Sequence, residues 1–210
     1  MSALSVSEGI RRAVKALFRP GDVVEVRAFG PGGIRRVGRY PLGWDLVRVI
    51  EAENERCDVY YCLNPTRLLP LPMTDGAQGT REGDVLRRRH FLLDWDPIRP
   101  YKIATDTEHA AARSQAELAR AVIQNHMGCA PLMASSGNGV HLLVPIDMPN
   151  DSQSKELIKA YQRVIAKKFS NDKVVCECFP DAARITRAYG TLNKKMPETP
   201  THKWRRSGLL

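Results

Sequence analysis

Apolar and polar positions divide the chain into a first half of mixed elements and a second half with a regular order. Residues Leu4 to Phe18 hold apolar positions at helical spacing and stop at Pro20-Gly21, which predicts a short helix. Asp22 to Phe29 (DVVEVRAF) alternates at period two and predicts a strand with one wet face. Gly30-Pro-Gly-Gly33 turns the chain, and Ile34 to Tyr40 is expected to return as a hairpin partner. Trp44 to Ala52 reads as a helix and Asp58 to Leu63 as a strand, ended by Asn64-Pro65. Residues 71–86 (LPMTDGAQGTREGDVL) carry three glycines and little periodicity, so a mobile surface loop is expected between two halves.

The second half starts at Phe91-Leu-Leu-Asp-Trp-Asp96, an apolar run that predicts a buried strand before Pro97 and Pro100. Thr105 to Met127 is a helix by its capping-box spacing (Thr105, Glu108), its alanines and the stop at Gly128. Leu132 to Ser135 and Val140 to Ile146 read as strands on either side of Ser136-Gly-Asn-Gly139. Ser152 to Phe169 is a helix with Leu157, Ile158, Tyr161, Ile165 and Phe169 on one face. Lys155, Lys159, Arg163 and Lys167 lie on its other face, and Val174 to Phe179 is a last strand. Strand, helix, strand, strand, helix, strand is the split βαβ, ferredoxin-like order. The expectation is an α+β protein of one domain, 1–210. An N-terminal αβ module (1–86) would pack on a split-βαβ catalytic module (87–210), a fold that leaves function open.

Composition narrows the partners. Of 210 residues, 43% are apolar and 26% charged, as in a soluble globular protein, and no apolar run is long enough to span a membrane. Met1 to Arg19 has no apolar core of a secretory signal. The net charge of +9, much of it arginine, favours a polyanionic partner; simple solubility is the plainer alternative. Five cysteines, an odd count without a signal, suit reduced thiols in a cytoplasm, and neither Cys57-x4-Cys62 nor Cys176-Glu-Cys178 has the usual spacing of a structural zinc site.

Three groups carry candidate chemistry. Asp94 and Asp96 are two apart on a strand, so their side chains share a face, roughly 6.5 Å apart at Cα. Unpaired they would repel, and a hard cation resolves that conflict. The alternative is a strand end whose acids cap a turn or pair with Arg99. Ser135-Ser136-Gly137-Asn138-Gly139-Val140-His141 is the second group. Its glycines let backbone amides approach an anion, and Ser136 and His141 add donors. An ordinary hairpin with a core histidine is the alternative there. The third is Asp181 to Lys195, where Arg184 and Arg187 among apolar spacers suit a triphosphate or a nucleic-acid backbone, or else form a salt-bridged surface helix. Arg87, Arg88 and Arg89 offer a track for a nucleic-acid backbone or a solvated charge run.

Taken in order, these groups resemble the archaeo-eukaryotic primase (AEP, prim-pol) superfamily, in the branch found in phages, prophages and plasmids. Its hydrophobic-D-hydrophobic-D motif is matched by LLDWD at 92–96, and its small-residue turn ending in histidine by SGNGVH at 136–141. DWDPIRP at 94–100, ATDTEHAAA at 104–112, DAARITRAYGTLNKK at 181–195, LFRPGDVVEVRAFG at 17–30 and YYCLNPTRLLP at 60–70 are also similar to it.

The resemblance implies an AEP-type primase core that synthesises primers on single-stranded DNA from NTPs or dNTPs, with two Mg²⁺ or Mn²⁺ ions on Asp94 and Asp96. It implies that His141, with Ser136, Gly137, Asn138 and Gly139, meets the phosphates of the incoming nucleotide, and that Arg184 and Lys195 are basic contacts. A replicative helicase, or a further module after the abrupt Arg205–Leu210 end, is the partner it implies, in a bacterial cytoplasm or a mobile element within it.

The third acid of the family is where the chain departs. An ungapped reading puts Cys176 there. Glu177 adjoins it but points to the other face unless a bulge re-aims it, and Asp172 is a further candidate. Cys176 therefore keeps open a catalytically inactive single-strand-binding module, and the acid pair keeps open a two-metal nuclease.

Overall fold

The computed structural model describes residues 5–33 and 35–210. Leu4 and Ile34, expected in the first helix and the return strand, lie outside them. The described residues form a mixed α+β structure of four α-helices and two five-stranded antiparallel sheets.

The first half supplies α1 (Val6–Leu17), β1 (Val23–Phe29), β2 (Arg35–Pro41), α2 (Trp44–Asn54), β3 (Asp58–Cys62) and β4 (Leu71–Asp75). The second supplies β5 (Arg88–Pro97), α3 (Asp106–Met127), β6 (Leu132–Ser135), β7 (Val140–Met148), α4 (Ser152–Phe169), β8 (Val174–Phe179), β9 (Ile185–Arg187) and β10 (Gly208–Leu209). Thr105 caps α3 through the reciprocal box with Glu108, and Gly128 ends it at φ 67°, a left-handed position that favours glycine.

The second sheet runs β10-β6-β7-β5-β8, so its last four members have the split-βαβ order, with β10 added beside β6. The first sheet runs β4-β2-β1-β3-β9. After β8 the chain thus crosses back: β9 pairs with β3, with Tyr61 opposite Thr186.

Two cores follow from the alternation on β5. Phe91, Leu93 and Trp95 pack against α3 and α4; the α3 face is Ala112, Ala116, Ala119 and Ile123, small enough to let the helix lie close. Leu92 faces the opposite way, into a core with Ala134, Leu143, Tyr61, Tyr189 and the buried faces of α1 and α2. Side chains two and four residues beyond Leu92 share its face. Those are Asp94 and Asp96, which places both acids between the sheets.

Four expectations are corrected. Residues 71–75 form a strand rather than a loop, because they pair with β2, and the adjoining Thr80 hydroxyl donates to the buried carboxylate of Glu25 at 2.6 Å. On α4, Leu157 is exposed, whereas Ser154 and Gln162 are buried; the Gln162 amide donates to the Leu92 carbonyl at 2.8 Å. The segment holding Arg187 is not a surface helix: it is β9, and Arg187 is buried. Arg87, Arg88 and Arg89 are each committed to a carboxylate, Asp147, Glu82 and Asp22 respectively, and Arg88 and Arg89 are turned largely inward.

Candidate active site

The site is assembled from a row of three neighbouring strands. Asp94 on β5 is paired in register with His141 on β7 and with Glu177 on β8. Directly opposed residues of antiparallel strands share a face, so all three side chains emerge between the sheets. An oxygen from each of Asp94, Asp96 and Glu177 lies within 4.8 Å of the others, and this trio stands out as a possible metal-holding cluster among the described residues.

Glu177 reaches this face with no bulge in the β5–β8 ladder. The ungapped reading that put Cys176 in its place is one residue out of register. Cys176 faces the other way, into the core under α3 and α4, and its hydrogen bond with Cys178, then burial, hold its thiol far above the ordinary range. Asp172 takes no part in the cluster.

The three acids differ electrostatically. Burial raises the pKa of Asp96, and the neighbouring Asp94 raises it further. Glu177 is raised for the same two reasons, burial and then Asp94 and Asp96. Burial pushes Asp94 up too, but the proximity of His141, Lys195 and Arg184 outweighs it and holds Asp94 below its usual value. Arg99 meets Asp96 at 3.3 Å, so the pairing that the sequence offered as an alternative is present alongside the cluster.

His141 is held from behind. Its Nδ1 lies 2.7 Å from the Tyr189 hydroxyl and 3.1 Å from that of Thr186, which themselves are 3.1 Å apart. Its Nε2 is 3.3 Å from Asp94 Oδ1, in poor alignment for a hydrogen bond, and that buried oxygen has no hydrogen-bond partner in the protein. Sequence reasoning missed Thr186 and Tyr189, because two hydroxyl-bearing residues beside more conspicuous arginines give no signal of their own.

The turn between β6 and β7 is tight. The amides of Ser136 and Gly139 bond within it, to the Gly139 carbonyl and the Ser136 hydroxyl, and the Gly137 amide bonds to the Ser135 hydroxyl. Those three amides are therefore committed internally, unlike the expected anion cradle. The free donor is the Asn138 side-chain amide: Asn138 is buried, its oxygen accepts from the Ala104 amide at 3.1 Å, and its nitrogen has no partner. Gly139 is required by contact, since a Cβ there would come within 2.8 Å of Asp96 Oδ1. Gly137 has φ 96° and would collide with Asn193.

One cleft gathers Asp94, Asp96, Ser136, Asn138, His141, Arg184 and Lys195. Gly137 and Gly139 shape it without lining it. Tyr60, Thr186, Arg187 and Asn193 also line it. The Arg184 guanidinium sits over the Phe179 ring, 3.2 Å from its centre, and Arg187 is fixed by Asp58 at 2.6 Å and by the Tyr60 hydroxyl at 3.0 Å. Acids and cations thus share one cleft.

The architecture as a whole has a solved counterpart. The polymerase domain of Mycobacterium tuberculosis Ligase D, in complex with DNA, superposes with a TM-score of 0.53 over 90% of this chain and 77% of its own. The chain has the fold of that polymerase domain. Sequence identity is 14%, so the likeness is one of architecture. No family model and no curated protein matches the sequence.

The donor set fits a divalent cation. All three ligand candidates are carboxylates, which are hard oxygen donors of the kind Mg²⁺ and Mn²⁺ take, and one Asp94 oxygen is buried without a partner. No helix of the described residues is long and apolar enough to cross a membrane.

Proposed function

We propose that the chain is a primase-polymerase: a nucleotidyltransferase that joins nucleoside triphosphates on a single-stranded DNA template. The observation that carries this is the cluster of Asp94, Asp96 and Glu177 at a cleft whose lining combines the two aspartates with Arg184 and Lys195. The shared polymerase-domain fold supports it.

In this reading Asp94, Asp96 and Glu177 hold two divalent ions, Mg²⁺ or Mn²⁺. Such ions lower the pKa of an attacking 3′-hydroxyl and neutralise charge on the transferred and leaving phosphates. The rest belongs to the protein. Lys195 and Arg184 bind the triphosphate, and Arg184 does so from its seat over the Phe179 ring. The Asn138 amide donates to a phosphate oxygen. His141, braced by Tyr189 and Thr186, presents Nε2 to the acid side of the cleft. Gly139 keeps the turn close enough to the acids for one ligand to touch both.

The inactive-module alternative rested on Cys176 in the third position. With that thiol inside the helix-facing core and Glu177 beside the aspartates, it has no observation in its favour.

The test is synthesis on a circular single-stranded DNA with labelled nucleotides and Mg²⁺ or Mn²⁺. Wild type is expected to make short labelled products. An Asp94→Ala, Asp96→Ala double variant and Glu177→Gln should each fall by at least about 100-fold. No product from the wild type, with DNA bound equally by all three proteins, would overturn the assignment.

A further inference from the structure

A second concave site lies between α1 and α2 and shares no lining residue with the catalytic cleft. Its walls include Val14, Leu42 and Val47, and it encloses about 280 Å³. The charged residues lining it are Arg11 and Lys15, with no carboxylate among them. Trp44 completes it. This indole is 65% exposed, more than any other aromatic side chain among the described residues. The Arg11 guanidinium sits 4.0 Å from the centre of the ring, and its buried Nε has no hydrogen-bond partner.

Such a ring is stiffened by the cation against it, yet still open to a second flat partner. An apolar hollow, an open indole and two cations match a ligand that has a π-face and an adjacent negative charge. A nucleotide unit of a single strand has both: the base stacks and its phosphate meets the cations. An aliphatic ligand would not use the cations, and an acidic peptide would not use the ring.

We propose that Trp44, with Arg11 and Lys15, forms a stacking slot for a base of single-stranded DNA, separate from the catalytic cleft. The choice of ligand rests on the nucleic-acid reading above. The slot gives the strand a hold that is independent of metal and nucleotide.

The test is binding of a fluorescent oligo-dT, and of an abasic strand of equal length, without metal or nucleotide. Proteins are wild type, Trp44→Ala, Trp44→Phe and Lys15→Gln, each checked for folding by circular dichroism. Trp44→Ala is expected to weaken oligo-dT binding about 5- to 150-fold, the range of one lost base stack, and to leave the abasic strand within about twofold. Trp44→Phe should restore most of the loss, and Lys15→Gln should weaken both strands alike. Equal oligo-dT affinity in wild type and Trp44→Ala overturns the slot, as does an equal loss on both strands. Primer synthesis by the same proteins separates the two readings. Synthesis without Trp44-dependent binding removes the slot alone, and Trp44-dependent binding without synthesis removes the polymerase reading alone.

Discussion

Asp94 has His141 opposite it on one neighbouring strand and Glu177 on the other, while Asp96 follows two residues on. The charge on this patch is unbalanced in the metal-free protein. Asp96 and Glu177 have folded pKa values above their usual 3.8 and 4.5. The stability they contribute is therefore full below those values and lost as pH rises through the raised ones. Asp94 is lowered and behaves oppositely, losing its contribution as pH falls. At neutral pH Asp96 and Glu177 therefore strain the fold where no metal is bound, while Asp94 does not. Asp96→Asn is expected to raise the melting temperature in EDTA at pH 7.5 by about 1–2 °C, a small gain because Asp96 is partly solvated and screened. The gain should vanish near pH 4. Mn²⁺ should raise the melting temperature of wild type more than that of the variant. Calorimetry at the two pH values decides both points, and a lower melting temperature of the variant in EDTA would show that the Arg99 contact outweighs the repulsion.

At the scale of elements, much was legible from local pattern. The strand period of β1, the capping box of α3, and the limits of α4 and β8 follow from neighbours along the chain, whereas the wet face expected of β1 does not hold, because Glu25 is buried against Thr80. The acid pair and the glycine-rich turn were legible for the same reason. What was not legible depends on partners far away. The face taken by Glu177 is set by the register of β8 on β5, and a one-residue slip exchanges every side chain between faces. That slip is what put Cys176 in the site. Strand β9 has three residues, two of them polar, and only its pairing with β3 makes it a strand. The strand character of β4 likewise comes from β2, since Pro72 and the glycines after it read as loop. The β6–β7 turn gives a test at this scale. Gly139→Ala pushes a methyl against Asp96 and the β5 backbone, so it should cost about 1–3 kcal/mol in urea unfolding and reduce synthesis with it. An alanine variant as stable and active as wild type would mean that the turn stands further from the acids.

For the whole molecule, the segment after β8 joins the two sheets. It brings Arg184 to the cleft, then lays β9 on the first sheet, where Arg187 is clamped by Asp58. The Asp58 carboxylate also accepts from the Lys194 amide at 2.9 Å, so one partly buried acid anchors both ends of the loop that leads to Lys195. Asp58→Leu alone should cost about 3–5 kcal/mol, because it leaves the Arg187 charge buried and unpaired. Asp58→Leu with Arg187→Met should recover a large part of that stability without restoring synthesis, since Lys195 would lose its anchor. Chemical denaturation and primer synthesis on the three proteins measure the two effects separately. Recovery of both together would show that the bridge serves stability alone.

Glu177 differs from its two companions in where it stands. β5 has a neighbour on each side, whereas β8 ends the sheet with one side unpaired. The outermost strand of a sheet is where local opening is easiest. Fraying at this border would carry off one carboxylate and leave the aspartates in place. On the reading of all three as ligands, the centre is completed only while the border is zipped, and a bound cation acts as a latch on it. Competence for chemistry is then governed by the opening of six residues, not by the stability of the whole fold.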